Sequence, residues 1–428
     1  MALSYIFLLV ECLVSSMLLT SINSTTAVNE YTALFLIILN VIVVMFCIYK
    51  STDGKKELII ILAISFLFRI LLLLIDRYAY DYFVLPASGG DTQLFHLEAL
   101  EYKNMKFLDN PYSYIVGIIY SLCKNQRIIA HYFNLLLSMS TLVTTIKILK
   151  ELNINYKIIV ITTFILAILP NYAMLSVILL RESIMIFFLA ISLLEFIKWW
   201  KYGNLISFAK SIIYVLLSSI FHSGVIANAI GYIIVFILFN NKEREMKIDL
   251  KSILSVVVAI VLISSLSGGF SDLFLSKFQN VGSIEDINYS LELGETGGES
   301  SYDVGGEINS FADIIINSPI RAFYFLTSPL PWQWRGLNDI IAFLFSAMLY
   351  IIAFIYAAKA IKGSNKEKNR SLIKALIIIC IAGAIVFAWG TSNAGTAMRH
   401  RDKFIVNYIV MIAVSMEVIS KQRKRQLN

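Results

Sequence analysis

The stretch LRESIMIFFLAISLLEFIKWWK, residues 180–201, decides the fold class. It is almost wholly apolar and long enough to cross a bilayer as a helix, yet it opens on Arg181 and Glu182 side by side. A charge at the centre of a bilayer costs roughly 2.5 to 3.5 kcal/mol on insertion scales. Two adjacent charges therefore imply protein or a water-filled cavity beside them.

The rest of the chain has the same character. Its 428 residues are 58% hydrophobic, and the mean hydropathy is +0.75. A water-soluble fold could not cover that much apolar surface. Apolar runs of about 18 to 22 residues recur and read as transmembrane helices. The first, from Ala2 to Thr20, contains Glu11 and lacks a small-residue cleavage site, so it reads as a retained helix. The four cysteines, Cys12, Cys47, Cys123 and Cys380, form no CxxC pair and imply neither a disulfide framework nor a zinc site.

The expected fold is all-α: a polytopic membrane protein of about twelve spans forming one integral membrane domain over 1–428. The spans lie near 3–20, 31–49, 57–75, 127–146, 157–175, 176–198, 205–221, 224–240, 252–267, 337–361, 371–390 and 403–420. With that count, every basic loop falls on one face. These are the loops carrying Lys50, Lys55 and Lys56; Lys147, Lys150 and Lys157; Lys198 and Lys201; Lys242 to Lys251; and Lys362 to Arg370, with the tail KQRKRQ. Lys/Arg excess marks the cytoplasm, so both termini are expected inside. The net charge of +7 is spent on these short loops, which argues against nucleic acid as a partner. Two long loops fall on the outer face, 77–126 and 268–336. The segments 111–123 and 311–330 within them read as interfacial or re-entrant helices. The middle of the second loop is rich in Gly, Ser and Glu and is expected to be mobile.

Polar residues converge on that outer side. In the first loop they are Asp91, His96, Glu98 and Tyr102. At span ends they are Arg181, Glu182, His222 and Ser223. Arg321, Trp332, Trp334, Arg335, Arg399, His400 and Arg401 complete the set, and His131 starts a span on the same side. Asp91 follows two glycines and reads either as a helix N-cap or as a base. If 91–103 is helical, Asp91, Glu98 and Tyr102 share one face and His96 points elsewhere. Arg181 and Glu182 are either a structural ion pair or the wall of a cavity. The WQWR cluster is either an interfacial anchor or a sugar-stacking surface. Arg399 and Arg401 suit phosphate oxygens, through the planar fork of the guanidinium, or lipid headgroups generally.

One chemistry uses all of these: transfer of a sugar from a polyprenyl pyrophosphate. The leaving group gains charge and needs fixed cations, and the acceptor hydroxyl needs a general base. Arg181, Arg399, Arg401 and Arg321 are the expected phosphate ligands, with Asp91, His222 or Glu182 as the acid–base group. Glu98, Tyr102, Trp332, Trp334, Arg335 and His400 are the expected sugar contacts. No Gly-rich phosphate loop opens a helix on the cytoplasmic side, so no nucleotide-sugar site is expected. No DxD pattern or ligand-spaced histidine pair calls for a metal, and no cofactor is expected.

The span pair running from R-E-x-I at Arg181, through the KWWKYGN turn, to F-H-S-G at Phe221–Gly224 resembles the EpsG and Wzy-type repeat-unit polymerases. Asp91, set in the first outer loop, is similar to the first-loop acid of GT-C membrane glycosyltransferases. The Arg-x15-Gly motif of some O-antigen polymerases is not met by Arg181, Arg321, Arg335 or Arg399, so roles from that subgroup do not carry over. The resemblance implies a polymerase of lipid-linked oligosaccharide repeats in a bacterial cytoplasmic membrane. Its active face would be periplasmic or extracellular, and its partners would be the polyprenyl-linked substrate, membrane lipids and a chain-length regulator protein. The alternatives are a GT-C enzyme adding one sugar from a polyprenyl phosphate, and a flippase for the same lipid-linked glycans. A flippase would be expected to carry pseudo-symmetric halves and midplane polar groups.

Overall fold

The computed structural model describes residues 26–123, 125–240, 245–246, 301–302, 304, 309–363 and 367–427. The expected spans 3–20 and 252–267, and the Gly/Glu-rich middle of the second long loop, lie outside the described residues.

The regular structure of the described chain is helical apart from one short ladder and an isolated bridge between Ser301 and Asn393. Its helices are α1 (Thr26–Ser51), α2 (Lys56–Tyr78), α3 (Gly90–Leu100), α4 (Pro111–Leu122), α5 (Arg127–Glu151), α6 (Tyr156–Ile168), α7 (Pro170–Leu175), α8 (Glu182–Tyr202), α9 (Leu205–Ser219) and α10 (Ala227–Leu238). Strands β1 (Phe239–Asn240) and β2 (Glu245–Met246) pair antiparallel. The helices that follow are α11 (Phe311–Thr327), α12 (Leu337–Ala342), α13 (Met348–Gly363), α14 (Glu367–Ala388), α15 (Ala394–Arg401) and α16 (Ile405–Leu427).

Among the described residues, seven helices are long and apolar enough to cross a membrane: Glu30–Ser51, Lys56–Tyr78, Arg127–Glu151, Glu182–Tyr202, Leu337–Lys362, Arg370–Ala388 and Ala394–Lys424. Tyr156–Ile168, Leu205–Ser219 and Ser223–Leu238 are shorter apolar helices. Exposed apolar residues run in stripes at helical spacing, such as Ile60, Ile64, Leu67 and Leu71 on α2. Such a stripe faces lipid tails at no hydrophobic cost.

The chain divides into two compact units. The first comprises 1–146 and 163–187, the second 147–162 and 188–428. In the first, α2 packs on α1 and α7, and α3 pairs with α4 as a helical hairpin. In the second, α10 packs on α14, α13 on α16, and α11 on α14. A Cβ at Gly231 would lie 2.9 Å from the Ile379 Cα, so glycine is what lets α10 approach the α14 backbone this closely. The KWWKYGN turn ends α8 through Gly203, whose φ of +73° is a left-handed C-terminal conformation. Asn204 then caps α9, accepting from the Ile206 N–H at 2.9 Å.

Three boundaries differ from the sequence reading. The span expected at 176–198 begins only at Glu182, and 176–181 is non-helical. Non-helical backbone inside a membrane protein is tolerated where other groups satisfy it. Here Asn134 Nδ2 donates to the Ile178 and Leu180 carbonyls at 2.8 and 2.9 Å. The span expected at 157–175 is broken before Pro170, and Arg69 of α2 donates to the Ala167 carbonyl at 2.8 Å beside that break. The helix expected at 403–420 starts far earlier, because Asn393 caps α15 by accepting from the Gly395 and Thr396 N–H groups.

Candidate functional site

In the first unit the loop 77–126 carries the α3–α4 hairpin. The helix α3 begins at Gly90 with Gly89 as its cap, so the N-cap reading of Asp91 is corrected. The side chain of Thr92 does the capping, receiving from the Gly89 N–H at 3.1 Å. Asp91 instead sits exposed in the first turn, where a carboxylate favours the helix dipole. Glu98 is tied to the start of α4, accepting from Asn110 Nδ2 and Ser113 Oγ, each at 2.6 Å. Tyr102 covers Gly117 of α4, where a Cβ would lie 2.3 Å from its own Cβ. It also meets Tyr114 edge-on. The structure thus gives Glu98 and Tyr102, expected as sugar contacts, a part in closing the hairpin. His96 Nδ1 lies 2.8 Å from the Tyr120 hydroxyl. Burial, reinforced by the guanidinium groups of Arg127 and Arg77, pushes its pKa down to about 4.

Arg181 places its guanidinium 5.8 Å over the ring of Phe95 on α3, a cation–π contact. Glu182, the first residue of α8, is buried. The adjacent charges thus stand where α8 begins, beside the hairpin, with Glu182 as its first residue.

Sequence reasoning missed a polar group in the same unit. Asp76, Arg77, Tyr80, Arg127 and His131 line a cavity of about 840 Å³ together with Ser88 and Gln93. The signal was present as a stripe on α5: Arg127, His131, Asn134 and Ser138 recur at helical spacing inside an otherwise apolar run.

The second unit brings together residues expected separately. His222 and His400 face each other edge-on with ring centroids 5.3 Å apart. Both pack on Phe387, at 5.2 and 5.1 Å, and Lys403 lies 5.0 Å over the same ring. His222 Nδ1 accepts the Gly224 N–H at 3.3 Å, so its neutral ring carries the proton on Nε2 and acts there as a donor. Gly224 is required by closeness, since a Cβ would lie 2.8 Å from the Phe387 ring. His400 Nδ1 lies 3.2 Å from the Thr391 hydroxyl. Arg321 is buried with its guanidinium 4.6 Å over Trp389.

Arg401 takes a structural position. It is fully buried, and its guanidinium donates to the Leu326 and Ser328 carbonyls at 2.9 and 2.7 Å and to Ser346 Oγ at 3.0 and 2.8 Å. Ser346 lies in the π-helical turn Phe343–Ala347 that links α12 to α13. A guanidinium so engaged does not reach a ligand phosphate. Arg399, two residues earlier, is half-buried.

Trp332, Trp334 and Arg335 line a cleft of about 730 Å³ with Gln333, Asn338 and Asp339. Trp334 is anchored by its Nε1–H to the Pro329 carbonyl at 3.1 Å, whereas Trp332 is 68% exposed. Another cavity of this unit is bordered by Glu151, Lys201, Phe239, Leu372, Glu417 and Lys421. It joins the basic segments that charge patterning assigns to one face. Lys201 reaches Glu151 at 2.9 Å, and the Asn155 N–H reaches Glu417 at 2.8 Å.

Among the described residues no group of three or more His, Cys, Asp or Glu could hold a metal ion. The fold defines a multi-pass α-helical membrane protein. Compared with family models, curated proteins and solved structures, the chain matches none of them.

Proposed function

We propose that the protein is a membrane glycosyltransferase that polymerises polyprenyl-pyrophosphate-linked oligosaccharide repeats. It would work at the outer face of a bacterial cytoplasmic membrane, with twelve spans and both termini inside. The observation that carries the reading is the meeting of His222 and His400 at 5.3 Å, with Lys403 on the shared Phe387 ring. Imidazole N–H and ammonium groups, held by aromatic packing, are what a leaving pyrophosphate requires. The cleft of Trp332 and Trp334 supports the sugar side of the reading, because indole faces suit the apolar faces of sugar rings.

In the reaction an acceptor hydroxyl attacks the anomeric carbon of the growing chain. The bond from that carbon to the pyrophosphate oxygen breaks, and the hydroxyl proton passes to a carboxylate. His222, with its proton on Nε2, serves the departing oxygen. Arg321 and Arg399, of the same unit, supply positive charge.

Complementation tests the reading. The gene is deleted in its host and restored as wild type, His222→Ala or His400→Ala, with membrane levels of each protein matched. Single repeat units on the lipid carrier in the deletion and in both variants support a polymerase. Lipid-linked units trapped on the inner face would identify a flippase. Long glycan lacking one sugar would identify a single-sugar transferase.

A further inference from the structure

Two opposite charges in the first unit line one cavity without direct contact. Asp76, at the end of α2, is 6% exposed; its Oδ1 has no close hydrogen-bond partner among the described residues, while Ser88 and the charges of Arg127 and Arg77 act on the carboxyl from farther away. Its Oδ2 lies 3.5 Å from His131 Nδ1. That nitrogen already donates to the Val177 carbonyl at 2.8 Å, so it offers Asp76 only a weak, shared contact. The direct hydrogen bonds of Arg127 go to neutral groups: its Nε donates to His131 Nε2 at 3.3 Å and its Nη1 to Gln93 Oε1 at 3.0 Å, and Asp76 acts on it only through its charge. The neighbouring Arg77 is different, because Glu30 balances it at 3.0 Å.

A buried carboxylate oxygen lacking a donor is costly unless something donates to it. A guanidinium oriented by an imidazole and an amide is a ready phosphate ligand. His131 stands between the two and holds them apart, its own nitrogens both committed. A metal cation is a poor occupant, because two guanidinium groups line the same cavity. A ligand offering a hydroxyl at one end and a phosphate oxygen at the other satisfies both walls at once. The cavity, about 840 Å³, falls in the size range of small-molecule sites.

We propose that this cavity binds a glycosyl phosphate, with Asp76 accepting from a sugar hydroxyl and Arg127 donating to a phosphate oxygen. The cavity belongs to the first unit and His222 and His400 to the second, so the proposal goes beyond the glycosyltransferase reading and rests on it only for the lipid tail. The bound group is either the head of a lipid-linked sugar or a soluble sugar phosphate.

The test is binding by the full chain in lipid nanodiscs. The probes are glucose 1-phosphate and a short-chain prenyl glucosyl pyrophosphate. Both report on the shared chemistry, and tighter binding of the prenyl form assigns the ligand to the lipid. The expected result is saturable binding that weakens at least tenfold in Asp76→Asn and in Arg127→Gln. Asp109→Asn, a carboxylate of the same loop outside the cavity, should bind as wild type. Because Arg127→Gln can fail to fold, a Leu97→Cys variant places a thiol on the cavity lining of an otherwise intact chain. Ligand should protect it from maleimide. No binding, equal binding by Asp76→Asn, or unprotected Cys at 97 overturns the site. Binding here alongside a flippase phenotype in the deletion strain keeps the site and discards the polymerase. A polymerase phenotype without binding here does the reverse.

Discussion

His131 Nδ1 donates to the Val177 carbonyl at 2.8 Å, joining a histidine on one helix to a backbone stretch that is not helical at all. One turn along α5, Asn134 continues the pattern to Ile178 and Leu180 and also meets the Tyr112 hydroxyl at 2.8 Å. The polar stripe of α5 therefore supports the interrupted segment that delivers Arg181 and Glu182 to the start of α8.

Replacing Asn134 with leucine should strand two buried carbonyls and the Tyr112 hydroxyl. Each unsatisfied buried polar group costs about 1–3 kcal/mol. The expected outcome is a lower unfolding temperature and greater protease sensitivity near residue 178, whereas Asn134→Gln should lose less. Thermal unfolding in detergent, with mapping of the cleavage sites, measures this.

Arg401 and Arg399 should part company. Arg401→Gln removes hydrogen bonds to four partners from a fully buried charge, at a cost of about 3 kcal/mol or more. It should reduce the amount of folded protein in the membrane. Arg399→Gln should accumulate normally and, if Arg399 serves phosphate, lose activity. Comparing membrane levels with glycan yield separates the two effects.

The α3–α4 hairpin should not tolerate a methyl group at residue 117. In Gly117→Ala the new Cβ would sit 2.3 Å from the Tyr102 Cβ, an overpacking worth about 1–3 kcal/mol. Tyr102→Ala retains its Cβ and should not rescue the variant, whereas Tyr102→Gly should. The unfolding midpoints of the two double variants decide it.

His96 predicts an acid-sensitive hairpin. Its folded pKa is depressed to about 4, below the ordinary histidine value of about 6.5. The unfolded chain therefore binds the proton more readily, and stability falls as pH drops from about 6.5 towards 4. Above that window the ring is neutral in both states and contributes no pH dependence. His96→Gln should flatten the difference in stability between pH 7 and pH 4.5 relative to wild type.

Trp332→Ala should leave folding intact, because the side chain is mostly exposed. Loss of a stacking face worth about 0.5–1.5 kcal/mol should weaken glycan binding up to about tenfold. Trp334→Ala should additionally destabilise the cleft, since its Nε1–H holds the Pro329 carbonyl. Titration with an oligosaccharide by tryptophan fluorescence distinguishes the pair.

Much of the architecture could be read locally. Long apolar runs, the caps at Asn204 and Asn393, and the glycine of the KWWKYGN turn are one-dimensional signals. Their physics needs only neighbouring residues. For this reason the helices around 31–49, 57–75 and 127–146 fall where the sequence puts them. His222 and His400 also stand out in the sequence, by their place near the outer ends of expected spans, but as separate candidates; only the fold brings their rings together.

What tertiary structure decided is which polar side chains are already engaged. In AMRHRDKF nothing marks Arg401 as structural, but carbonyls from residues 326 and 328 engage its guanidinium. Asp91 stands out in a loop, while Asp76 looks like the charged end of a span until His131, Arg127 and the cavity stand beside it. Apolar runs declare themselves along the chain because burial from water is roughly additive residue by residue. A hydrogen bond is directional and pairwise, so its partner becomes visible only once distant segments have been brought within 3 Å.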